Sequence, residues 1–240
     1  MLIKTAGVVV KVKKFGDEGR LLWILTTDRG LVRVFDKEQS RNINLVATEL
    51  FCYSMFILLR QKGTYKVNSA EVKEVFWGLR SDVISFALAS YFCELVCEIL
   101  VQIDEANLLL DLMICSFHML AKRKKNAFLV KAAFEFKVAC LLGFCPDLTG
   151  VGRTFSLALG CLVDSGGRGC IKVSDDILAA MSFVSCAPVR KSFSFALSAA
   201  NRRLFSRLTE GYLIEKLEGE IKTLVCFKKM IKVFGAQDEL

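Results

Sequence analysis

Histidine occurs once in this chain of 240 residues, and proline only twice. The lone imidazole, His118, has no second histidine with which to build a metal site. With no serine or cysteine elbow to serve, it reads as a core or boundary residue rather than a general base. Long apolar runs are missing as well. The longest stretch without a charged residue is the 13 from Ile177 to Val189, which contains Pro188. A membrane-spanning helix needs about 20 apolar residues, so no membrane partner is expected. The opening MLIKTAGVVVKVKKFG has an apolar core of only about five residues before Lys11, Lys13 and Lys14, short for a secretion signal, and a cytoplasmic location is expected. The ten cysteines lack the spacing of a disulfide scaffold or a zinc knuckle. Cys93 and Cys97 stand one helical turn apart, but two ligands do not close a zinc site, and Cys161 and Cys170 are not in a C-x-x-C pair. Reduced thiols are expected. The glycine-rich GVGR and SGGRG segments lack the Lys-Ser/Thr of a nucleotide-binding loop. No internal repeat or low-complexity tract appears. The chain is therefore expected to be no enzyme and to carry no cofactor and no metal.

What the chain has is apolar content of 53% and a net charge of +8, unevenly spread. Residues 1–80 hold 14 basic against 8 acidic residues, a net +6, and residues 81–240 hold 19 against 17, a net +2. The first third therefore points to a polyanion partner. It also reads as strands. Ala6, Val8, Val10 and Val12 alternate with Gly7, Val9, Lys11 and Lys13. Leu21–Thr27 and Leu31–Phe35 flank an Asp28-Arg29-Gly30 turn and form a hairpin, and two further strands cover about 50–60 and 64–76. Five short strands predict an OB-type barrel over residues 1–78. Lys11, Lys13, Arg33 and Lys66 fall at alternating strand positions, with Arg20, Arg29, Lys37 and Arg41 in turns and loops around them. Such a surface tracks phosphates while Phe15, Phe35 or Tyr65 offers a face to a base, unless the cations are only solvated and the aromatics are core. The candidate DNA contacts are Lys11, Lys13, Arg20, Arg33, Lys37 and Arg41.

Ser81 is a suitable N-cap, which puts the change from strand to helix between Trp77 and Ser81. Residues 81–240 are predicted to be helical, interrupted by a Gly-rich loop at 149–172. Helices are expected at 83–101, 107–124, 174–184, 192–217 and 221–232. Phe128–Leu148 is apolar nearly all round, as a central buried helix must be, and Gly143 with Pro146 should end it. Its narrow polar stripe holds Lys131 and Glu135. Lys137 lies on an apolar face, where its stem either snorkels to solvent or places a cation beside an apolar pocket. Lys131, Phe134 and Lys137 are the candidate partner-binding residues, suited to a peptide both acidic and hydrophobic.

TAGVVVKVKKFGDEGRLLWILTTDRGLVRVF resembles the opening of the bacterial RecO family, with its Phe15-Gly16-Asp17 turn and the Thr26–Gly30 hairpin. LFCYSMFILLR, KGTYKVNSAEV, SYFCELV and FEFKVACLLGFCPDL follow in the family's order, so the resemblance covers residues 1–162 and continues more weakly beyond. It implies an OB-fold barrel followed by a helical domain, acting as a recombination mediator in DNA repair. Such proteins bind single- and double-stranded DNA, anneal complementary strands, engage the C-terminal tail of single-strand DNA-binding protein (SSB), and work with RecR to load RecA. Two departures stand out. Thr149–Gly152 and the stretch around Asp164 and Gly167 replace the cysteine pairs of many members, so a loop held by packing without zinc is expected. Asp36 and Glu38 add acids where the family shows a basic turn, which keeps open an adaptor with little DNA binding of its own.

Overall fold

The computed structural model describes residues 1–16, 19–37, 45–61, 64–99, 106–150, 152–164, 166–217 and 221–233. The chain divides into two compact units, Met1–Ala121 and Lys122–Leu240.

The first unit is built on the expected barrel. β1 (Leu2–Phe15), β2 (Gly19–Thr26), β3 (Gly30–Lys37), β4 (Tyr53–Gln61) and β5 (Thr64–Glu74) close in the order β1-β2-β3-β5-β4. All neighbours are antiparallel except β3 and β5, whose parallel pairing spans only Val34 with Tyr65 and Phe35 with Lys66. Inside lie Val9, Leu22, Ile24, Val32, Val34, Phe56, Leu58 and Val67, all buried. The alternation in β1 does not run through unbroken. A bulge between Val9 and Lys11 leaves Val10 out of register, so Val9 and Val12 both face the core while Val8, Lys11 and Lys13 face out. An extra residue of this kind resets the two-residue period, which a count along the sequence cannot see.

Three helices complete this unit: α1 (Trp77–Arg80), α2 (Val83–Ile99) and α3 (Ala106–Ala121). The N-cap of α2 is Asp82, whose carboxylate accepts from the Ser85 amide at 2.8 Å. Ser81, one residue earlier, instead donates to the Gly78 carbonyl. α2 and α3 pack across β1 and β2, and this covers the outward-facing Val8 and Leu25, both fully buried. Phe51, just before β4, takes a left-handed φ of 67°. Such a conformation costs about 1–3 kcal/mol in a bulky residue. Here the ring is buried edge-on against Phe86 of α2 and Phe117 of α3, which fixes both helices to the barrel.

The second unit is organised around α4 (Ala127–Leu141), in which every residue from Phe128 to Ala139 is buried. Asn126 caps its start, accepting from the amides of Phe128 and Leu129. Gly143, at φ 86°, ends it: the Phe144 amide reaches back to the Ala139 carbonyl at 2.9 Å, the closure that a left-handed glycine makes possible. α5 (Asp175–Cys186), α6 (Ala199–Leu217) and α7 (Lys222–Val233) follow, with α6 lying along α4. Ser174, where a helix is expected to begin, caps α5, while α6 starts seven residues later than the sequence pattern predicts.

The Gly-rich stretch is not irregular throughout. β6 (Thr154–Ser156), β7 (Cys161–Val163) and β8 (Cys170–Lys172) form a small antiparallel sheet in the order β7-β6-β8. Its anchors come from α6. Tyr212 packs on the buried Phe155 and donates to the Phe144 carbonyl at 2.9 Å, and Lys216 donates to the Ala158 carbonyl at 2.6 Å. Backbone pairing and these contacts hold the segment. Strands of three residues are too short for a period to show.

Candidate nucleic-acid interface

Register alone assembles three rows on the outer face of the barrel. Lys11 stands beside Trp23, and Trp23 beside Arg33; the next row aligns Lys13, Leu21 and Phe35, and the third aligns Phe15, Gly19 and Lys37. Lys66 of β5 extends the middle row. Lys11, Lys13, Arg33 and Lys37 are exposed. Lys13, Arg33 and Lys37 have no ion-pair partner among the described residues. The Lys11 ammonium lies 5.0 Å from the centre of the Trp23 ring, a cation–π contact that orders it without neutralising it.

Aromatic side chains lie between the cations. Phe15 is 60% exposed and meets Phe35 edge-to-face at 6.0 Å. Gly19 makes room for that pair, since a Cβ there would come within 2.9 Å of the Phe35 ring and 2.4 Å of the Asp36 carbonyl oxygen. Beside them is a cleft of about 520 Å³ lined by Phe15, Leu21, Leu31, Val32, Arg33, Phe35, Thr64 and Tyr65. α2 packs against β1. Residues 81–121 contain six carboxylates and neither lysine nor arginine, a concentration the segment charges of the sequence average away. Cys97 of α2 lies within electrostatic reach of Lys11 and of Glu94 and Glu98 on its own helix. Burial chiefly pushes that thiol up to about 11, with Lys11 opposing the shift and both glutamates adding to it.

The remaining predicted contacts have other places. Arg20 lies within β2, not in a loop, and points to the barrel's inner side, where it binds Asp36 at 2.9 Å, Glu49 at 2.7 Å and the Thr48 hydroxyl at 2.6 Å. Burial works against its charge, but Glu49 and Asp36 outweigh it and hold the guanidinium above its ordinary pKa. Asp36 is only 1% exposed, so this acid is turned away from the outer face. Lys37 ends β3, and Arg41 and Glu38 lie outside the described residues. His118 is a boundary residue, 3.0 Å from the Glu74 carboxylate and edge-on to Phe76.

The three candidate partner-binding residues do not form an accessible pocket. Phe134 and Lys131 are fully buried, and Lys137 is 6% exposed. Lys131 pairs with Glu135 at 2.8 Å and Glu210 at 2.9 Å, Thr209 donates to Glu135, and Lys228 of α7 also binds Glu210. Burial disfavours charge on both Lys131 and Glu210, yet Glu135 and Glu210 together raise the lysine, and Lys131 with Lys228 lowers the Glu210 carboxylate. Lys137 neither snorkels nor faces a pocket. Its ammonium donates to the carbonyls of Val184, Ser185 and Ala187 at 2.8–3.0 Å and so caps the C-terminus of α5. The acceptors that define this role lie about 50 residues away in sequence, where a helical wheel has no view.

A closed five-stranded barrel followed by helices defines a protein with an OB-type domain and a helical domain. Comparison with known proteins makes this specific. Residues 1–76 match the family model described as Recombination protein O N terminal, and residues 80–224 match Recombination protein O C terminal. The chain belongs to the RecO family of DNA repair proteins. A DNA repair protein RecO from Acetivibrio thermocellus is 25% identical over 246 residues, covering 96% of this chain and 98% of its own length. Another from Alkaliphilus metalliredigens is 31% identical over 175 residues, 71% of each chain, and one from Symbiobacterium thermophilum is 25% identical, covering 92% and 95%. Among the described residues no helix is long and apolar enough to cross a membrane, and no three His, Cys, Asp or Glu side chains gather as a metal site.

Proposed function

We propose that the outer face of β1, β2 and β3 binds DNA, single- and double-stranded, chiefly through its phosphates. On this reading the protein anneals complementary strands and, with RecR, helps load RecA onto SSB-coated DNA, as a recombination mediator without a catalytic step. The observation that carries the reading is the set of exposed cations, Lys11, Lys13, Arg33 and Lys37, brought onto one face by strand register with aromatic rings between them. Annealing needs only that repulsion between two phosphate backbones be neutralised while bases stay free to pair, so neither nucleotide nor metal enters.

Arg20 has a supporting part, holding Asp36 inside the barrel wall and away from the phosphates. That inward turn supports DNA binding over the adaptor reading, since this acid does not oppose a polyanion. RecR and the acidic, apolar tail of SSB remain the proposed protein partners. Lys131, Phe134 and Lys137 belong to the interior and take no part in that docking. The test is annealing of complementary oligonucleotides coated with the cognate SSB, in the presence of chelator. Acceleration by the protein is expected; retained binding to SSB without acceleration would leave the adaptor.

A further inference from the structure

The parallel pairing of β3 with β5 is two residue pairs long, and upstream of Val34 no partner residue of β5 lies beside β3. The cleft opens at this seam. Leu21, Arg33 and Phe35 line it from the barrel's outer face, while Val32 and Tyr65 belong to the barrel interior, so it cuts into the wall and is more than a dimple on the surface. At about 520 Å³ it falls in the range of about 300–1,000 Å³ typical of small-molecule sites. Its lining is mostly apolar and aromatic, with Arg33 and the exposed Thr64 as polar groups at its edge. Lys13, Lys37 and Lys66 stand in the rows beside it.

We propose that this cleft captures one unstacked nucleobase of a single strand, held against Phe15, Phe35 and Tyr65, while Arg33 and the flanking lysines bind the adjoining phosphates. The inference rests on the DNA-binding reading above and adds a preference within it, for strands whose bases are free to leave the stack. Charge decides the occupant. An apolar cleft with cations in the rows beside it, where the described residues of those rows include no acid, suits a ligand that alternates a flat apolar unit with an anion at every step, as a single strand does. Duplex DNA keeps its bases paired and reaches only the cations.

The test compares binding of the full-length protein to an oligothymidylate of about a dozen nucleotides, within the site size of an OB fold, and to an abasic strand of the same length. One base stacked on an aromatic side chain is worth about 5- to 150-fold, so the thymine strand should bind about tenfold or more tightly than the abasic one. Phe15→Ala removes an exposed ring and should bring that ratio close to one; Tyr65→Leu, folded by its circular dichroism, should lower it as well. A ratio near one in the unaltered protein, with the abasic strand still bound, overturns base capture and leaves phosphate binding standing. Displacement of the strand from the cleft by an acidic, apolar peptide, with that same ratio of one, assigns the cleft to a peptide and also overturns it. Failure to bind either strand overturns the DNA-binding reading itself.

Discussion

Lys13 on the barrel and Lys131 on α4 are the same residue type, each beside apolar neighbours, with opposite fates. Lys13 is exposed on a strand whose cross-strand neighbour is Leu21, with no acid in its row. Lys131 is fully buried between Glu135 and Glu210, one from its own helix and one from α6. The first keeps its charge available to a ligand, and the second uses it inside the fold. Arg20 stands between the two cases, on the barrel but facing inward to Asp36. A cation is therefore a binding residue or a structural one according to the carboxylates that the fold brings beside it.

The largest effect should come from breaking the buried side of that contrast. Lys131→Met takes from Glu135 and Glu210 the cation they share in the interior, with Lys228 still beside Glu210, and removing one partner of a buried pair costs about 3–5 kcal/mol. Urea denaturation of the full chain measures it; a loss under about 1 kcal/mol would mean that the network is dispensable. Next, Lys13→Glu with Arg33→Glu should weaken single-strand binding by on the order of 10- to 100-fold and lower the salt slope by about 0.7 for each phosphate no longer neutralised. Stability should shift by no more than about 0.5 kcal/mol, since both side chains are exposed.

Arg20→Leu sharpens the comparison from the middle. It should cost about 1–3 kcal/mol by leaving Asp36 buried without its partner, and leave the salt slope of DNA binding unchanged. A fallen slope would return Arg20 to the interface. The smallest effect is in pH dependence. Glu210 has a lowered folded-state pKa, so its contribution is present above the ordinary value of 4.5 and is lost as pH falls through the folded value. Lys131 is raised, so its contribution is complete below 10.5 and is lost as pH rises through its folded value. Stability from this network should thus hold between those limits, and Glu210→Gln should flatten the acid limb of a stability-against-pH curve and shrink the alkaline limb, because Glu210 is one of the two carboxylates that raise Lys131.

Much of the fold is legible in the sequence because its signals are local. The turn at Gly30, the stop at Gly143, the Ser174 cap and the all-round apolar character of α4 each depend on a few adjacent residues. The cationic strand positions are legible for the same reason. What escapes depends on residues far apart in the chain. The bulge at Val10 becomes visible only when β1 is laid against β2. No local signal marks Trp23, which joins Lys11 to Arg33, although a strand pairing drawn out from the Gly30 turn places it beside Arg33. Nothing near Lys137 in sequence announces the carbonyls of α5, and nothing near Lys131 announces Glu210. Burial of both follows from the apolar helix around them; the acceptors that make it tolerable do not.

The central claim is that the cations on the barrel's outer face bind a polyanion while the interior ones hold the fold. The most direct measurement is single-strand affinity as a function of salt for the unaltered protein and the Lys13→Glu, Arg33→Glu double variant. With about four phosphates engaged, log K should fall against log salt with a slope of about −3, and the double variant should be visibly shallower. A slope that is already flat in the unaltered protein, or one that the double reversal leaves untouched, would contradict the account.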